Sequence, residues 1–355
     1  MSSNRINPTN PEDVLYPALA HYWHPVAYAA DVREQPVGAT LLDQPVVVFR
    51  HEGRVVALAD RCLHRSARLS LGRVVPEGIE CAYHGWRYGP DGRCVQVPAC
   101  PAMVDAVKGR IETYQVTESA GLVWVALETP RLPPPDFPEL DDGSFRILRG
   151  PTYDWCTSAA RRLENFCDFA HFSFIHEGTL GSRALAEVKP VEVWREDHVL
   201  RIRRSGIFEP SVGKKKALLG ITEDWIAPVN EYHVTPPHTV HLLRVFPNGK
   251  RYVLLMAASP VSADCTRSFW FQARDFGCEP EHDEFFLDFE ATILAQDIAI
   301  VESQRPAWIP LAEAGRETSL TPADQVSIAY RRMLNELVAE HRRAARAPAP
   351  TARAN

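Results

Sequence analysis

Short apolar runs that alternate with polar and turn residues dominate the first third of the chain. Between about residues 22 and 130, segments such as Val46–Arg50 and Val55–Ala59 are separated by Gly, Pro and Asp turns. The stretch ends in the apolar run Gly121–Leu127, whose composition is typical of a buried strand. This pattern predicts a β-rich unit of short strands.

The rest of the chain mixes longer strands with helices. Helices are predicted near residues 157–173, 282–303 and 323–345, and strands at 191–194, 198–203, 238–246, 252–258 and 267–274. A long series of strands favours one antiparallel sheet. The expected fold class is therefore α+β.

A proline-rich stretch, Pro133–Pro138, separates the two patterns and is typical of a stiff linker. We therefore expect a first domain over residues 21–135 and a second over residues 136–345. Residues 1–20 are expected to form a loose N-terminal arm that could include a short helix. The tail at 346–355 is rich in Ala, Pro and Arg, and we expect it to be disordered.

Composition narrows the possible partners. The 355 residues include 39 Lys and Arg against 45 Asp and Glu, a net charge of −6, which argues against nucleic acid as a partner. No apolar run approaches the roughly 18 residues of a membrane span, and the first residues lack the apolar segment of a signal peptide. We therefore expect a cytoplasmic protein with neither a nucleic-acid nor a membrane partner.

Two cysteine–histidine pairs carry the clearest chemical signal. Cys62 and His64 are two positions apart, and Cys81 and His84 follow with a spacing of three. Tetrahedral zinc sites can use the same residue types, but they usually pair cysteine with cysteine and histidine with histidine. A Rieske [2Fe–2S] cluster needs a mixed set, because two His replace two Cys on one iron. The spacing therefore favours an electron-carrying cluster over zinc.

A second group of candidate ligands lies in the run Glu164–His176. Its two imidazoles belong to His171 and His176. Asp168, three residues before His171, is expected to share a helix face with it. A helix that ends or bulges near Ser173 could bring both imidazoles to one point.

Asp297 is the candidate carboxylate ligand. It lies on the apolar stripe of the predicted helix at 282–303, which contains Phe286, Phe289, Ile293, Ile300 and Val301. A carboxylate on such a face needs a cation, a donor or a metal, and two His with one carboxylate form the facial set of non-heme Fe(II) oxygenases. An Asp bonded to an Arg or to the backbone, beside two hydrogen-bonded core histidines, remains an alternative at this point.

Along nearly its whole length, the chain resembles the oxygenase component of Rieske non-heme iron oxygenases. Both metal patterns occur in the family's order: the cysteine–histidine pairs first, then the run Asn165–His176, then the late Asp297. The resemblance implies a Rieske β-sandwich domain joined to a catalytic domain with a curved antiparallel sheet flanked by helices.

Three further segments are similar to the methylxanthine N-demethylases within that family. They are Asp60–Gly72, Val97–Pro101 and Phe174–Leu180. Ala82 departs from the Pro that many relatives carry in the second cluster loop, and we expect little effect from this difference.

The resemblance also implies roles for the candidate residues. The expected ligands are Cys62, His64, Cys81 and His84 for a [2Fe–2S] cluster and His171, His176 and Asp297 for a mononuclear Fe(II); Asn165 and Asp168 are the expected catalytic residues. In a homotrimer, Asp168 would connect His84 of a neighbouring subunit to His171 of its own. Candidates for the substrate pocket are Phe174, Leu180, Phe286 and Ile293.

The implied activity is monooxygenation of a small aromatic or heteroaromatic compound with O₂, led by oxidative N- or O-demethylation or hydroxylation. Ring cis-dihydroxylation or a late-stage biosynthetic oxidation at the same iron is an alternative. An electron-transfer protein without mononuclear iron is an alternative of another class. The chain has no dinucleotide-binding fingerprint, so electrons from NAD(P)H would arrive through a separate reductase, with or without a ferredoxin.

Charge around the cluster motif suggests how that electron donor is recruited. Residues 61–93 contain six arginines against three acidic residues, although the whole chain is acidic. This excess predicts a basic rim that steers an acidic donor. Ordinary solvated charges are the alternative.

Overall fold

The structure is a computed structural model that describes residues 11–311 and 316–346. Helix α1 (Pro11–Leu19) is the described part of the predicted arm. Residues 1–10 and the tail from residue 347 onward lie outside the described residues. No helix in the described ranges is long and apolar enough to cross a membrane.

Ten short strands follow α1 and form three antiparallel sheets, in the orders β1-β10-β9, β2-β3-β4 and β5-β6-β7-β8. Their bounds are His24–Tyr28 (β1), Val37–Leu41 (β2), Gln44–His51 (β3), Arg54–Ala59 (β4), Arg73–Val75 (β5), Gly78–Glu80 (β6), Arg87–Tyr88 (β7), Cys94–Gln96 (β8), Gln115–Ser119 (β9) and Leu122–Ala126 (β10). The second and third sheets enclose a core of apolar side chains such as Phe49, Leu58 and Tyr88, in which Cys62 and Cys81 are buried.

The second half contains an eight-stranded antiparallel sheet in the order β11-β20-β19-β18-β17-β14-β13, with β12 also paired to β20. The remaining elements are β11 (Arg146–Arg149), β12 (Tyr153–Trp155), α2 (Ala159–Cys167), α3 (Phe172–Ile175), β13 (Glu192–Glu196), β14 (Val199–Arg204), β15 (Glu209–Pro210), α4 (Gly213–Leu219), β16 (Trp225–Ile226), β17 (Val229–Thr235), β18 (Thr239–Val245), β19 (Arg251–Ser262), β20 (Cys265–Arg274), α5 (Asp283–Val301) and α6 (Gln325–Arg346). The predicted α+β class, with a Rieske β domain and an antiparallel catalytic sheet, is confirmed.

Both faces of the large sheet are covered, which explains why β19 is buried on both sides along most of its length. One face packs against α2, α5 and α6 through side chains such as Leu163, Phe286 and Tyr330. The other packs against the first sheet, where Trp124 joins Phe137 in one cluster.

The Pro133–Pro138 stretch packs against the large sheet in addition to connecting the two halves of the chain. Phe137 is buried and packs with Phe271 of β20. Tyr28 of β1 reaches across to the sheet as well, since its hydroxyl donates to Gly150 O at 2.8 Å and accepts from Trp270 N at 3.1 Å. A domain boundary at residue 135 stays a prediction.

Two details of the predicted helices were wrong. The helix expected over 157–173 ends at Cys167, because Asp168 adopts an extended conformation and its carboxylate accepts from Ala170 N at 2.9 Å; short polar side chains often bind the backbone in this way and end helices. Ile300, expected on the core-facing stripe of α5, is 52% exposed, because it faces a surface depression instead of the sheet.

Candidate metal centres

The break after α2 positions the two candidate histidine ligands. Ser158 caps the start of α2, where its hydroxyl accepts from Arg161 N at 3.2 Å. The chain turns at Asp168, and His171 then precedes the single turn of α3, with His176 at its other end. Because the helix is interrupted, two histidines five positions apart can face the same point.

His171, His176 and Asp297 converge as a compact set of three ligand atoms. Nε2 of His171 lies 3.3 Å from Nε2 of His176, and Asp297 Oδ1 lies 3.5 Å from the former and 3.2 Å from the latter. Metal–nitrogen bonds of about 2.1 Å at right angles would separate neighbouring ligand atoms by about 3 Å. The spacing therefore suits three ligands on one face of an octahedral metal.

The outer nitrogens of both imidazoles are held by oxygen atoms. His171 Nδ1 lies 3.1 Å from Asp168 Oδ2, and His176 Nδ1 lies 2.7 Å from Gln296 Oε1. With the proton on Nδ1 in each ring, both Nε2 lone pairs point inward, as metal ligands require. Gln296 was not anticipated, although it adjoins Asp297 in the sequence.

The charges at this centre follow from the same contacts. Burial alone would raise the pKa of Asp168, but the hydrogen bond and charge of His171 lower it, so the carboxylate stays ionised. Burial alone would lower the pKa of His176, but the neighbouring Asp297 carboxylate and the hydrogen bond to Gln296 raise it. Asp297 Oδ1 is fully buried and has no well-aligned hydrogen-bond donor among the described residues. A cation at the centre would satisfy this oxygen.

The two loops that carry the cysteine–histidine pairs share one backbone geometry. In the first loop, Cys62 N donates to Ala67 O at 2.8 Å and Ser66 N donates to Cys62 O at 3.0 Å. The second repeats both bonds at the same spacing, from Cys81 to Trp86 and from Gly85 to Cys81. Ser66 and Gly85 both have positive φ values, 57° and 69°, a conformation that favours glycine.

The four side chains of these loops divide into a buried half and an exposed half. Cys62 and Cys81 are each 2% exposed, and Cys62 Sγ lies 3.1 Å from the hydroxyl of Tyr88. His64 and His84 are exposed, with ring centroids 4.6 Å apart. Burial raises the pKa of the Cys81 thiol, so its thiolate needs a cation. Paired buried sulfurs beside paired exposed imidazoles fit the ligand set of a Rieske cluster.

A cavity adjoins the centre formed by His171, His176 and Asp297. Two of the four predicted pocket residues line this cavity and two do not. Leu180 and Ile293 line the cavity together with His171, His176 and Asp297. Phe286 packs in the core against Phe276 and Tyr252 instead. Phe174 lies at the surface, 50% exposed, with the guanidinium of Arg183 over its ring.

Polar cavity residues were largely missed by sequence reasoning. Those on the sheet and α5 are Arg204, Asn230, Arg244, Tyr252 and Glu290. They come from four different strands and a helix, so no local spacing unites them. Asn165, a predicted catalytic residue, lines the same cavity, and its Oδ1 accepts from Arg162 at 3.0 Å.

Comparisons with known protein families cover both halves of the chain. The profile of the Rieske [2Fe-2S] domain matches residues 22–115, and that of the vanillate O-demethylase oxygenase C-terminal domain matches residues 155–340. Methylxanthine N3-demethylase NdmB from Pseudomonas putida is 33% identical over 341 residues, which cover 92% of this chain and 91% of that protein.

Solved structures agree with these matches. The structure of Pseudomonas putida CBB5 NdmA with caffeine has a TM-score of 0.80 at 31% identity, and the match covers 93% of this chain and 94% of the other. Dicamba monooxygenase bound to dicamba has a TM-score of 0.76 and covers 92% and 99% of the two chains. At 22% identity, the second match shows the shared fold only.

The fold and the two centres define a class of iron enzymes in which a cluster-bearing β domain is joined to a helix-flanked sheet with a mononuclear metal centre. Within that class, the chain belongs to the Rieske non-heme iron oxygenases. It is an oxidoreductase that uses a Rieske [2Fe–2S] cluster and a mononuclear iron, so the predicted family and cofactors are confirmed. The assignment of individual ligands stays a prediction.

Proposed function

We propose that the protein catalyses oxidative demethylation of a small N- or O-methylated aromatic or heteroaromatic compound. The observation that carries the proposal is a three-ligand metal centre open to a cavity with apolar walls, formed by residues such as Phe166, Leu242 and Ile293. Relatives along the full length are methylxanthine N-demethylases, which supports demethylation over ring dihydroxylation.

We assign the mononuclear iron to His171, His176 and Asp297, and the cluster to Cys62, Cys81, His64 and His84. When bound, the iron supplies O₂ activation, and the cluster supplies electrons to it. In the overall reaction, the methylated substrate, O₂, two electrons and two protons give the demethylated substrate, formaldehyde and water. Asp168 and Gln296 orient the two imidazoles, and the apolar walls limit access of water to the reacting methyl group.

The test is turnover of methylated aromatics by the iron-loaded enzyme with a surrogate reductase. We expect formaldehyde and the demethylated product in equal amounts. When the reaction is run under ¹⁸O₂, one of the two labelled oxygen atoms should be recovered in water. Asp297→Ala should keep the visible spectrum of the cluster and lose both the mononuclear iron and turnover. Cis-diol products without formaldehyde would refute the proposal, and full activity of Asp297→Ala would remove that residue from the centre.

We further propose that the enzyme works as a homotrimer in which electrons cross between subunits. The imidazoles of His64 and His84 are exposed. On another part of the surface, a polar depression contains Asp168, His171 and Asp297. A neighbouring subunit's His84 could reach Asp168 there, and Asp168 would continue the hydrogen-bonded path to His171.

Mixed assemblies test this route. Co-expression of Cys81→Ser, which lacks the cluster, with Asp297→Ala, which lacks the iron, should restore part of the activity that each variant lacks alone. Light scattering should give three times the mass of one chain. Two inactive variants that stay inactive when co-assembled would show that electrons do not cross between subunits.

The source of electrons and the cellular compartment are the remaining parts of the proposed function. We propose a separate NAD(P)H-dependent reductase, with or without a ferredoxin, as the donor. None of the eight cysteines forms a disulfide bond, which agrees with our proposal that the enzyme works in the cytoplasm, where thiols are kept reduced.

A further inference from the structure

Arg204 is a buried cation without a polar partner in the described part of the chain. Its side chain lies at the end of β14, and the residue is 5% exposed. Its Nε is fully buried without a hydrogen-bond acceptor. The guanidinium lies over the rings of Phe169 and Phe172, at 5.3 and 5.4 Å from their centroids. Cation–π contacts offset only part of the cost of burying such a group.

The position of Arg204 relates it directly to the iron centre. It lines the same cavity as His171, His176 and Asp297. The ring of Phe172 is near both groups: its centroid lies 5.4 Å from the guanidinium of Arg204 and 4.8 Å from the ring of His171. Arg204 and the metal-binding residues therefore share one cavity, with Phe172 beside both.

The neighbours of Arg204 form a polar row across the sheet. Arg204 pairs in register with Asn230, and Asn230 pairs with Arg244, so the three side chains lie on the same face. Arg244 binds the carboxylate of Glu209 and donates to Asn230 Oδ1 at 2.8 Å. Glu209 also attracts Arg204 electrostatically, but its hydrogen-bonding partner is Arg244.

The other charges of the cavity leave an excess of positive charge. Arg162 donates only to neutral oxygens, those of Tyr153 and Asn165. Glu290 accepts from the Tyr252 hydroxyl and is attracted to Lys215. Glu290 also attracts Arg162, but no carboxylate of the described residues forms a hydrogen bond or a close ion pair with Arg162 or Arg204.

We propose that the end of the cavity at Arg204 is an anion subsite that binds the carboxylate of an aromatic acid. The inference rests on the proposed demethylation at the iron centre and narrows its substrate class to methylated aromatic acids. A carboxylate matches the planar fork of a guanidinium with two parallel hydrogen bonds, and its charge would compensate that of Arg204. Anchored there, a benzoate-sized ring would extend past Phe172 toward His171 and His176.

Equilibrium binding tests the subsite independently of turnover. The probes are 3- and 4-methoxybenzoate and the corresponding 3- and 4-methoxybenzamides, titrated calorimetrically into the anaerobic holoenzyme without reductase. We expect the better acid to bind at least about tenfold more tightly than its amide. Arg204→Met should weaken binding of the acid by roughly 10- to 100-fold, the loss of a charge-assisted hydrogen bond, and change amide binding by less than threefold.

Arg203→Met is the matched control. Arg203 precedes Arg204 on β14, faces the opposite side of the strand and lies 3.6 Å from Glu231, with 46% of its side chain exposed. This variant should bind acids as the wild type does. Thermal melting, iron content and the cluster spectrum check that each variant is folded and loaded.

The outcomes separate this proposal from the proposed function. Equal binding of acid and amide by the wild type, equal losses for both in Arg204→Met, or no binding of either acid would overturn the anion subsite. If the acids bind through Arg204 but are never demethylated, the subsite stands and the demethylase proposal fails. If only uncharged methylated compounds bind and are demethylated, the demethylase proposal stands and the anion subsite fails.

Discussion

His176 illustrates, at the scale of single residues, how a metal ligand depends on a neighbour outside the recognisable motif. Its Nε2 faces the centre because Gln296 Oε1 holds Nδ1 at 2.7 Å. Gln296 immediately precedes Asp297 in α5. One turn of this helix therefore supplies one candidate ligand, Asp297, and orients another, His176. Such supporting hydrogen bonds fix the ring orientation and raise the basicity of the ligand.

Replacing Gln296 should therefore weaken the metal centre without touching a ligand. We expect Gln296→Leu to lower the affinity for Fe(II) by roughly 10- to 100-fold, because the His176 ring loses the acceptor that orients it. Thr292→Val, on the exposed side of the same helix, is the control and should bind iron normally. Iron titration of apoenzyme, with the cluster spectrum as reference, measures both. Unchanged affinity in Gln296→Leu would mean that packing alone orients the ring.

Residue types and spacing alone favoured the cluster ligands, because these lie in two short segments. The set His171, His176 and Asp297 was predicted only with the family resemblance, because Asp297 lies far from the two histidines in the sequence. Gln296 and Arg204 could not be found in that way. Their importance arises from contacts made after the chain folds, 120 residues apart in the case of Gln296 and His176. A lone Gln or Arg in a sequence is most often a solvated surface residue.

At the scale of secondary-structure elements, β17 explains where pattern reading failed. This strand was not anticipated, although it lies in the interior of the sheet. Its buried positions are Asn230, Tyr232 and Val234, and its other positions are half-buried, so its apolar alternation is weak. Asn230 and Tyr232 line the cavity. Local patterns often fail where a strand carries functional polar groups.

The contact between α2 and α6 depends on buried ion pairs in addition to apolar packing. Arg331 of α6 binds both oxygens of Glu164 on α2, at 2.6 and 2.9 Å, and also Glu317 at 2.8 Å. These two carboxylates favour the charged guanidinium and raise the pKa of Arg331 despite its burial. Glu164 lies only four residues before Asp168, so α6 supports the helix that ends at the metal centre.

Removing one member of this network should destabilise the catalytic domain. We expect Arg331→Met to lower the free energy of unfolding by about 2–4 kcal/mol, because Glu164 and Glu317 each lose one of two arginine partners in a largely buried site and keep only Arg161. Arg332→Met changes the adjacent, exposed residue and should cost less than about 0.5 kcal/mol. Denaturant melts compare the two. Adding Glu164→Gln to Arg331→Met should recover part of the loss, and equal effects of the two Arg variants would contradict the role of the network.

At the scale of the whole molecule, two buried histidines lie between the first sheet and the large sheet. His24 of β1 donates from Nε2 to Leu19 O at 3.0 Å, and its ring lies 6.3 Å from that of His238. Burial lowers the pKa of His24 to about 4 and that of His238 well below its ordinary value. Both imidazoles are therefore neutral when the protein is folded at neutral pH.

Acid should loosen this contact between the two halves. Between pH 6.5 and 4 the unfolded chain binds a proton at His24 that the folded chain does not, so stability falls as the pH drops. Between pH 7.5 and pH 5, protonation of His24 in the unfolded chain should lower the free energy of unfolding by about 2 kcal/mol. His24→Gln should show a smaller fall over that range in urea melts, whereas His51→Gln, at a surface position, should retain the full fall. Identical pH profiles for His24→Gln and wild type would exclude His24 as the cause.

Exposed arginines beside the cluster motif bear on the predicted recruitment of an acidic electron donor. Three of the six arginines in residues 61–93 are paired: Arg73 and Arg87 bind Glu80, and Arg93 lies 3.6 Å from Asp91. Arg61, Arg65 and Arg68 are exposed and have no acidic partner among the described residues. The net excess of three positive charges that the sequence predicted thus comes from residues 61–68, the segment that contains His64.

Because opposite charges accelerate encounter and salt screens them, these arginines should govern the rate of cluster reduction. We expect Arg65→Gln/Arg68→Gln to slow reduction by an acidic donor roughly tenfold at low salt and to flatten its dependence on ionic strength. Arg93→Gln/Arg110→Gln removes the same charge from arginines that flank Asp91, and it should have a much smaller effect. Stopped-flow bleaching of the cluster absorbance measures all three proteins. A wild-type rate that stays constant from low to high salt would leave the basic rim without a role in recruiting the donor.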